Sequence, residues 1–419
     1  MKHRSRKHAW LSEWQYRLCL QIPTLTATWW CRVFSRPKTE TGVRSLLVVR
    51  LDGIGDCVMT LPLLAHLRLC YPAASITVVT RPLTEALFRC SDDVSEVLTF
   101  DPTPQRTRAN LLQTLFMALR FFFSELWQRK FDVALSPRWD IDISMATFLC
   151  AMTRAPVRVG YEDGTTPTKL HANKGFERAF TTILPAGPVR HEVLRNLEVA
   201  CAAGCVRPVS GPRIVVTSEE WREPPTWLQG PKAGLRIALG VAAGSARRRW
   251  TADRYVALLE ALLIEGPVSP VVFVDDETAA VGDEIVTSFP GASLMKRMSL
   301  LQVAAVLAEC DVFVGGDSGL GHIAAAVGCA TVTVSPHPVT GKDDHTNSPI
   351  RFRPWGDRSV VVQPAKGGEG CLYGCERDEP HCILNIDVNE VASAVKMVAG
   401  ASRQDESVHE QGPGASHVD

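Results

Sequence analysis

No stretch of about 18 uncharged apolar residues occurs in the 419-residue chain, so no membrane-spanning helix is expected. Charge of one sign is missing too. Lys and Arg number 45, Asp and Glu 45, a balance that argues against a protein binding nucleic acid over its whole surface. There is no cysteine framework. The 13 cysteines are an odd number, and most stand singly in apolar segments (Cys70, Cys90, Cys150, Cys310, Cys329), as expected of reduced thiols in a cytoplasmic protein. No secretory signal is expected, because Glu13 and Arg17 interrupt the early apolar residues and no small-residue cleavage site follows. The first glycine turn, Gly53-Ile54-Gly55, has Val58 where a dinucleotide fingerprint needs its third glycine, which sets NAD and FAD aside.

What is present is an ordinary globular composition, 46% hydrophobic and 21% charged. The length exceeds what one core usually supports, so two domains of about 180 residues are expected. Residues 1–44 form a basic, aromatic arm. Trp10, Trp14, Leu18 and Ile22 recur every four residues until Pro23, and Trp29-Trp30 follow. Such a segment suits a membrane interface or a face packed on the protein body. From Ser45 to Gly204 short apolar runs alternate with helical patterns, the signature of a parallel, doubly wound sheet. The helix expected over Asn110–Trp127 is rich in Phe and reads as core, or in part as a lipid-facing surface. A Pro-rich connection spans 205–234, with Arg213–Thr217 as a candidate last strand of the first half. The alternation resumes at Leu235 and ends in a helix at Val388–Val398. The domains expected are therefore 1–44, 45–212 and 213–400, with 401–419 a polar, disordered tail.

Four turns at the ends of predicted strands carry candidate chemistry. In Arg50-Leu51-Asp52-Gly53-Ile54-Gly55-Asp56, an acid sits on a Gly-flanked turn where open α/β sheets place ligands. Asp56 there can take a proton from a substrate hydroxyl, or serve only as a helix cap; Asp52 is the competing acid. In Gly244-Ser245-Ala246-Arg247-Arg248-Arg249-Trp250, adjacent Arg residues can neutralise a diphosphate, or form a solvated basic loop. In Gly315-Gly316-Asp317-Ser318-Gly319-Leu320-Gly321-His322, a strand gives way to an Ala-rich helix whose first amides point at a phosphate-sized site, with Asp317 or Ser318 as the expected cap. Asp275, Asp276 and Glu277, at another strand end, suit ribose hydroxyls or a helix cap. Cys371, Cys375, His381 and Cys382 could hold zinc, but their spacing fits no strong template, and no metal is assigned.

The Gly55-Asp56 turn with Thr60-Leu61-Pro62, together with the late Gly316-to-His322 motif and the basic loop before Trp250, resembles glycosyltransferase family 9, the ADP-heptose:lipopolysaccharide heptosyltransferases. The resemblance spans roughly residues 45–400. It implies a GT-B fold of two Rossmann-like domains facing a cleft, an acceptor on the first and a sugar nucleotide on the second. It implies an inverting displacement with no cofactor and no required metal. On this pattern Asp56 is the general base, and Asp52, Gly53 and Gly55 form the acceptor-side loop. Arg248, Arg249, Asp276, Asp317, Ser318, Gly319, Leu320 and His322 bind the donor. The partners implied are a nucleotide-diphospho-sugar, ADP-linked by resemblance, and a lipopolysaccharide or other lipid-linked glycan. A membrane surface at residues 1–44 is a further expected partner, and nucleic acid is not one. Ser318 stands where Thr is common in the family and Arg248 where Lys is. The competing readings are a nucleotide-sugar epimerase of the same fold and a non-catalytic, membrane-docked nucleotide-sugar-binding protein.

Overall fold

The computed structural model describes residues 21–34, 37, 42–102, 111–206, 211–216, 234–345, 347–368, 371 and 379–410, with backbone alone at 111, 112 and 401–410. The chain divides into two compact units, Met1–Ser210 and Gly211–Asp419.

In the first unit the strands are β1 (Ser45–Arg50), β2 (Ser75–Thr80), β3 (Glu96–Thr99), β4 (Val133–Leu135), β5 (Val157–Tyr161) and β6 (Thr182–Leu184). All pair in parallel, in the order β3-β2-β1-β4-β5-β6. Such a sheet is covered on both faces, which is why β1 reads as an unbroken apolar run up to Arg50. The second unit has β7 (Leu235–Gly240), β8 (Val268–Phe273), β9 (Ser293–Met295), β10 (Val312–Gly316), β11 (Ala330–Val334) and β12 (Ser359–Val362). Their order is β12-β11-β10-β7-β8-β9, again all parallel. Each unit thus reverses direction once, between β1 and β4 and between β7 and β10. Doubly wound sheets open a ligand crevice at that reversal.

Several expected elements differ. The helix expected over Asp56–Cys70 is two helices, Ile54–Val58 and Leu61–Cys70. Pro62 lacks an amide hydrogen and belongs in a first turn, so a new helix begins there. The buried Asn196 side chain donates to the Met59 carbonyl at 2.7 Å and fixes the break. Residues 211–216 form no strand; the Ile214 amide donates to Ala326 O at 3.0 Å. The last strand of the first sheet is β6, a short edge strand with no strong apolar signal. The final helix runs from Val388 to Glu410, past its expected end at Val398.

The arm also departs from expectation. Trp10, Trp14 and Leu18 lie outside the described residues. Pro23, expected to end that pattern, stands in the first turn of a helix, Ile22–Val33. That helix buries Ala27 and Cys31 in the same core as Phe122 and Phe148. Gln21 Nε2 ties its start to the carbonyls of His171 and Ala172 at 3.2 and 3.1 Å. Among the described residues no helix is long and apolar enough to cross a membrane.

Candidate active site

The first site forms at the reversal between β1 and β4. Arg50, at the last position of β1, is almost fully buried, at 2% exposure. Its Nη1 donates to Pro137 O at 2.8 Å, just past β4. Its Nη2 stands 3.1 Å from Asp56 Oδ1 and its Nε 3.2 Å from Asp52 Oδ2. Arg138 pairs with the other Asp52 oxygen. Asp52 is therefore a buried counter-ion for two guanidiniums, and both of its oxygens are engaged. Burial pushes the Arg138 guanidinium below the usual arginine range.

Asp56 is different. One oxygen meets Arg50, and the side chain remains one-third exposed. Gly53, the exposed residue before the Ile54–Val58 helix, leaves Oδ2 uncovered; a Cβ there would lie 3.8 Å from it. Gly55 sits half-buried in the same short helix. Sequence reasoning missed Arg50 and Arg138. A charge closing an apolar strand is a usable signal for Arg50. Arg138 becomes visible only once β4 is known to neighbour β1.

The second site forms at the reversal between β7 and β10. The basic loop leaves β7, makes a single 3-10 turn at Ala246–Arg248, and ends at Trp250, which is buried against Tyr255 with ring centroids 5.3 Å apart. Arg248 Nη1 reaches Asp317 Oδ2 at 3.2 Å and Asp317 O at 3.3 Å. Two motifs about seventy residues apart in sequence meet there. Glycine makes this approach feasible. A Cβ on Gly316 would stand 2.5 Å from Arg248 O, and one on Gly315 2.8 Å from Gly240 O.

Ser318 is the N-cap of the helix Gly319–Ala326, but its side chain makes no capping bond. The amides of Gly319 and Leu320 belong to a first turn that has no intrahelical acceptor. The Ser318 hydroxyl is buried and makes no hydrogen bond. An anion is the natural partner for such a helix start. His322 lies buried in the helix. Arg249 folds back to Ala243 O at 3.2 Å and pairs with Glu277 at 2.5 Å. Asp275 takes the turn role, accepting from the Thr278 amide at 2.9 Å. Asp276 is left on the surface, 3.3 Å from Arg297.

Asp317 also lines a small recess with Thr333, Ser335, Asn347, Phe352 and Arg353. The Thr333 hydroxyl in it is buried and without a hydrogen bond. Sequence reasoning missed this lining, which comes from the ends of β11 and β12 and the loop between them. On that loop the rings of His337 and His345 stack at 5.3 Å. Burial pushes both imidazoles below their ordinary range, helped by each other's charge at His337 and by Arg247 at His345. Of the zinc-type residues, Cys371, His381 and Cys382 are brought together, and Cys375 lies outside the described residues.

The model of glycosyltransferase family 9 (heptosyltransferase) matches residues 120–372. No curated protein sequence matches the chain. Among solved structures, the glycosyl transferase family 9 protein of Veillonella parvula is similar at 18% identity and TM-score 0.66, over 87% of this chain and 100% of its own. The ADP-heptose LPS heptosyltransferase II of E. coli gives 18% and 0.62, over 86% and 99%. The E. coli heptosyltransferase WaaC, solved with ADP, gives 18% and 0.64, over 84% and 99%. At that identity the likeness is one of fold, and the fold is GT-B.

Proposed function

The chain belongs to glycosyltransferase family 9, and from that premise we propose that it moves heptose from ADP-heptose to a lipopolysaccharide acceptor, the first unit serving the acceptor and the second the donor. The observation that carries this reading is the pairing of Arg248 with Asp317 beside an uncapped helix start. A cation, bare amides and an acid meet at one point, as a sugar diphosphate needs. The similar E. coli heptosyltransferase WaaC is solved with ADP and with ADP-2-deoxy-2-fluoro heptose, which supports an ADP donor.

In the proposed step Asp56 Oδ2 takes the proton of an acceptor hydroxyl. The oxygen attacks the anomeric carbon, the bond from that carbon to the diphosphate oxygen breaks, and ADP leaves with the electron pair. Inversion follows from attack on the face opposite the leaving group. Arg248 and the amides of Ser318, Gly319 and Leu320 stabilise the charge gathering on the diphosphate. Asp317 contacts the sugar, His322 supports the turn from within, and Asp276 takes ribose. Arg249 adds positive potential while tied to Glu277. Arg50 orients Asp56, and Asp52 with Gly53 and Gly55 shapes the acceptor side. No cofactor enters the step.

The test is Asp56→Asn with ADP-heptose and a lipopolysaccharide acceptor. Loss of a general base lowers transfer by roughly 10²–10⁴-fold, while ADP affinity measured by calorimetry stays as in the parent. Transfer retained in the variant, or a new sugar formed from donor alone, would overturn the assignment.

We further propose that the protein works on the inner face of a membrane as a peripheral protein. Arg154 lies 5.9 Å from the Trp30 ring and 5.5 Å from Trp127, joining the N-terminal helix to the Phe-rich helix. Trp29, Phe34, Phe123 and Trp127 are exposed, an aromatic surface with a cation suited to lipid headgroups. Phe123→Ala with Trp127→Ala is expected to cut co-sedimentation with anionic vesicles several-fold. Unchanged sedimentation would remove this surface from the reading.

A further inference from the structure

Beyond the two turns, one group of side chains has donor chemistry that the transfer step does not use. It follows β12, in the second unit. Cys371 Sγ stands 3.2 Å from His381 Nε2. With Cys382 Sγ, these ligand atoms all lie within 4.8 Å of one another. Two thiolates and an imidazole around a tetrahedral zinc ion would stand about 3.5–3.8 Å apart, so small adjustments, with Cys371 and His381 moving slightly apart, would close the group on one.

Two details of the surroundings favour an ion. His381 Nδ1 is 2.8 Å from the Glu379 carbonyl. A carbonyl only accepts, so Nδ1 carries the hydrogen and Nε2 of the neutral ring presents its lone pair toward the sulfurs. Metal-bound histidines are held in this way. The sulfur of Cys382 accepts the Gly368 amide at 3.3 Å, a contact that supports a thiolate. An S–H···N bond would account for Cys371 and His381 but not for a second sulfur brought to the same point. Gly368 lies against both sulfurs, since a Cβ there would sit in ordinary contact, 3.6 Å from one and 3.7 Å from the other.

We propose that Cys371, His381 and Cys382 bind a divalent transition-metal ion of the zinc class, as a structural clamp. What it clamps is the loop flanking the donor recess. Gly367 packs against Pro338, with 3.1 Å from its would-be Cβ to the proline ring. Val339 N donates to Pro364 O at 3.0 Å, and Gln363 Nε2 to His337 O at 2.7 Å. The claim of metal binding stands independently of the reaction assigned to the protein.

The full chain, purified without chelator, is expected to carry roughly one equivalent of zinc or a similar first-row metal by plasma mass spectrometry, as a single structural site requires. His381→Asn and Cys382→Ser are each expected to lose it. Cys70→Ser is expected to keep it; Cys70 belongs, with His66 and Cys205, to the other described group of such donors. Cobalt(II) added to metal-stripped wild-type protein should give thiolate-to-cobalt absorption that Cys371→Ser abolishes. This reading on the wild-type chain holds even where a variant fails to fold. Absence of both metal and cobalt absorption in the wild type would overturn the proposal. So would a Cys371–Cys382 disulfide in the freshly purified chain, or metal lost with Cys70→Ser and kept by His381→Asn.

Discussion

Arg50 holds both acids of the first turn, and the two acids differ only in what else reaches them. Asp52 is enclosed by a second guanidinium, Arg138, whereas one oxygen of Asp56 has Gly53 beside it in place of a side chain. Asp52→Asn removes the charge that separates the buried Arg50 from the part-buried Arg138. It is expected to cost about 3 kcal/mol of stability, as unbalanced buried pairs do, read from urea denaturation. A loss near zero would mean that Arg50 and Arg138 tolerate each other without it. Residue by residue, the sequence shows Asp56, Arg248 and Asp317 because each stands on a glycine-flanked turn after an apolar run. It does not separate Asp52 from Asp56, since both follow β1 by a few residues. Only the neighbouring strand, which brings Arg138, distinguishes the buried counter-ion from the exposed acid.

At the scale of elements, the Arg248 and Asp317 motifs meet because three glycines line the ends of β7 and β10. Gly316→Ala would place a methyl group 2.5 Å from a backbone carbonyl of the basic loop. The loop must shift, and Arg248 leaves Asp317. The expected result is ADP binding about tenfold weaker, equivalent to ~1.4 kcal/mol, measured by calorimetry on a variant with unchanged circular dichroism. Unaltered affinity would detach Arg248 from the nucleotide. Elements with long apolar runs, such as β7, β10 and β11, are legible from sequence because burial on both faces demands such runs. The edge strand β6 is not legible, and neither is the break at Met59. The first buries little, and the second depends on Asn196, which lies far along the chain.

At the scale of the molecule, both sheets use one strand order, and this regularity is what makes alternating helices and strands readable as a doubly wound pair. One pH-dependent contribution to stability lies away from the sites. His66 is 1% exposed, and both of its ring nitrogens lack hydrogen bonds. Burial pushes its pKa below the ordinary value. The unfolded ring protonates near pH 6.5, while the folded ring resists. The unfolded state therefore binds more protons as pH falls through about 6.5, and stability is lost in that direction. His337 and His345 add the same sign. The melting temperature is expected to fall between pH 7.5 and 5.5, and less steeply in His66→Gln. Equal slopes would clear His66 of this role. The Asn196 contact carries one more consequence. Asn196 lies on the helix Glu192–Ala202, the last helix of the first unit, and its amide holds the carbonyl at the end of the short helix that carries Asp56. That helix is thereby fastened to the turn of Asp56 by a direct hydrogen bond, a link that does not run through the sheet.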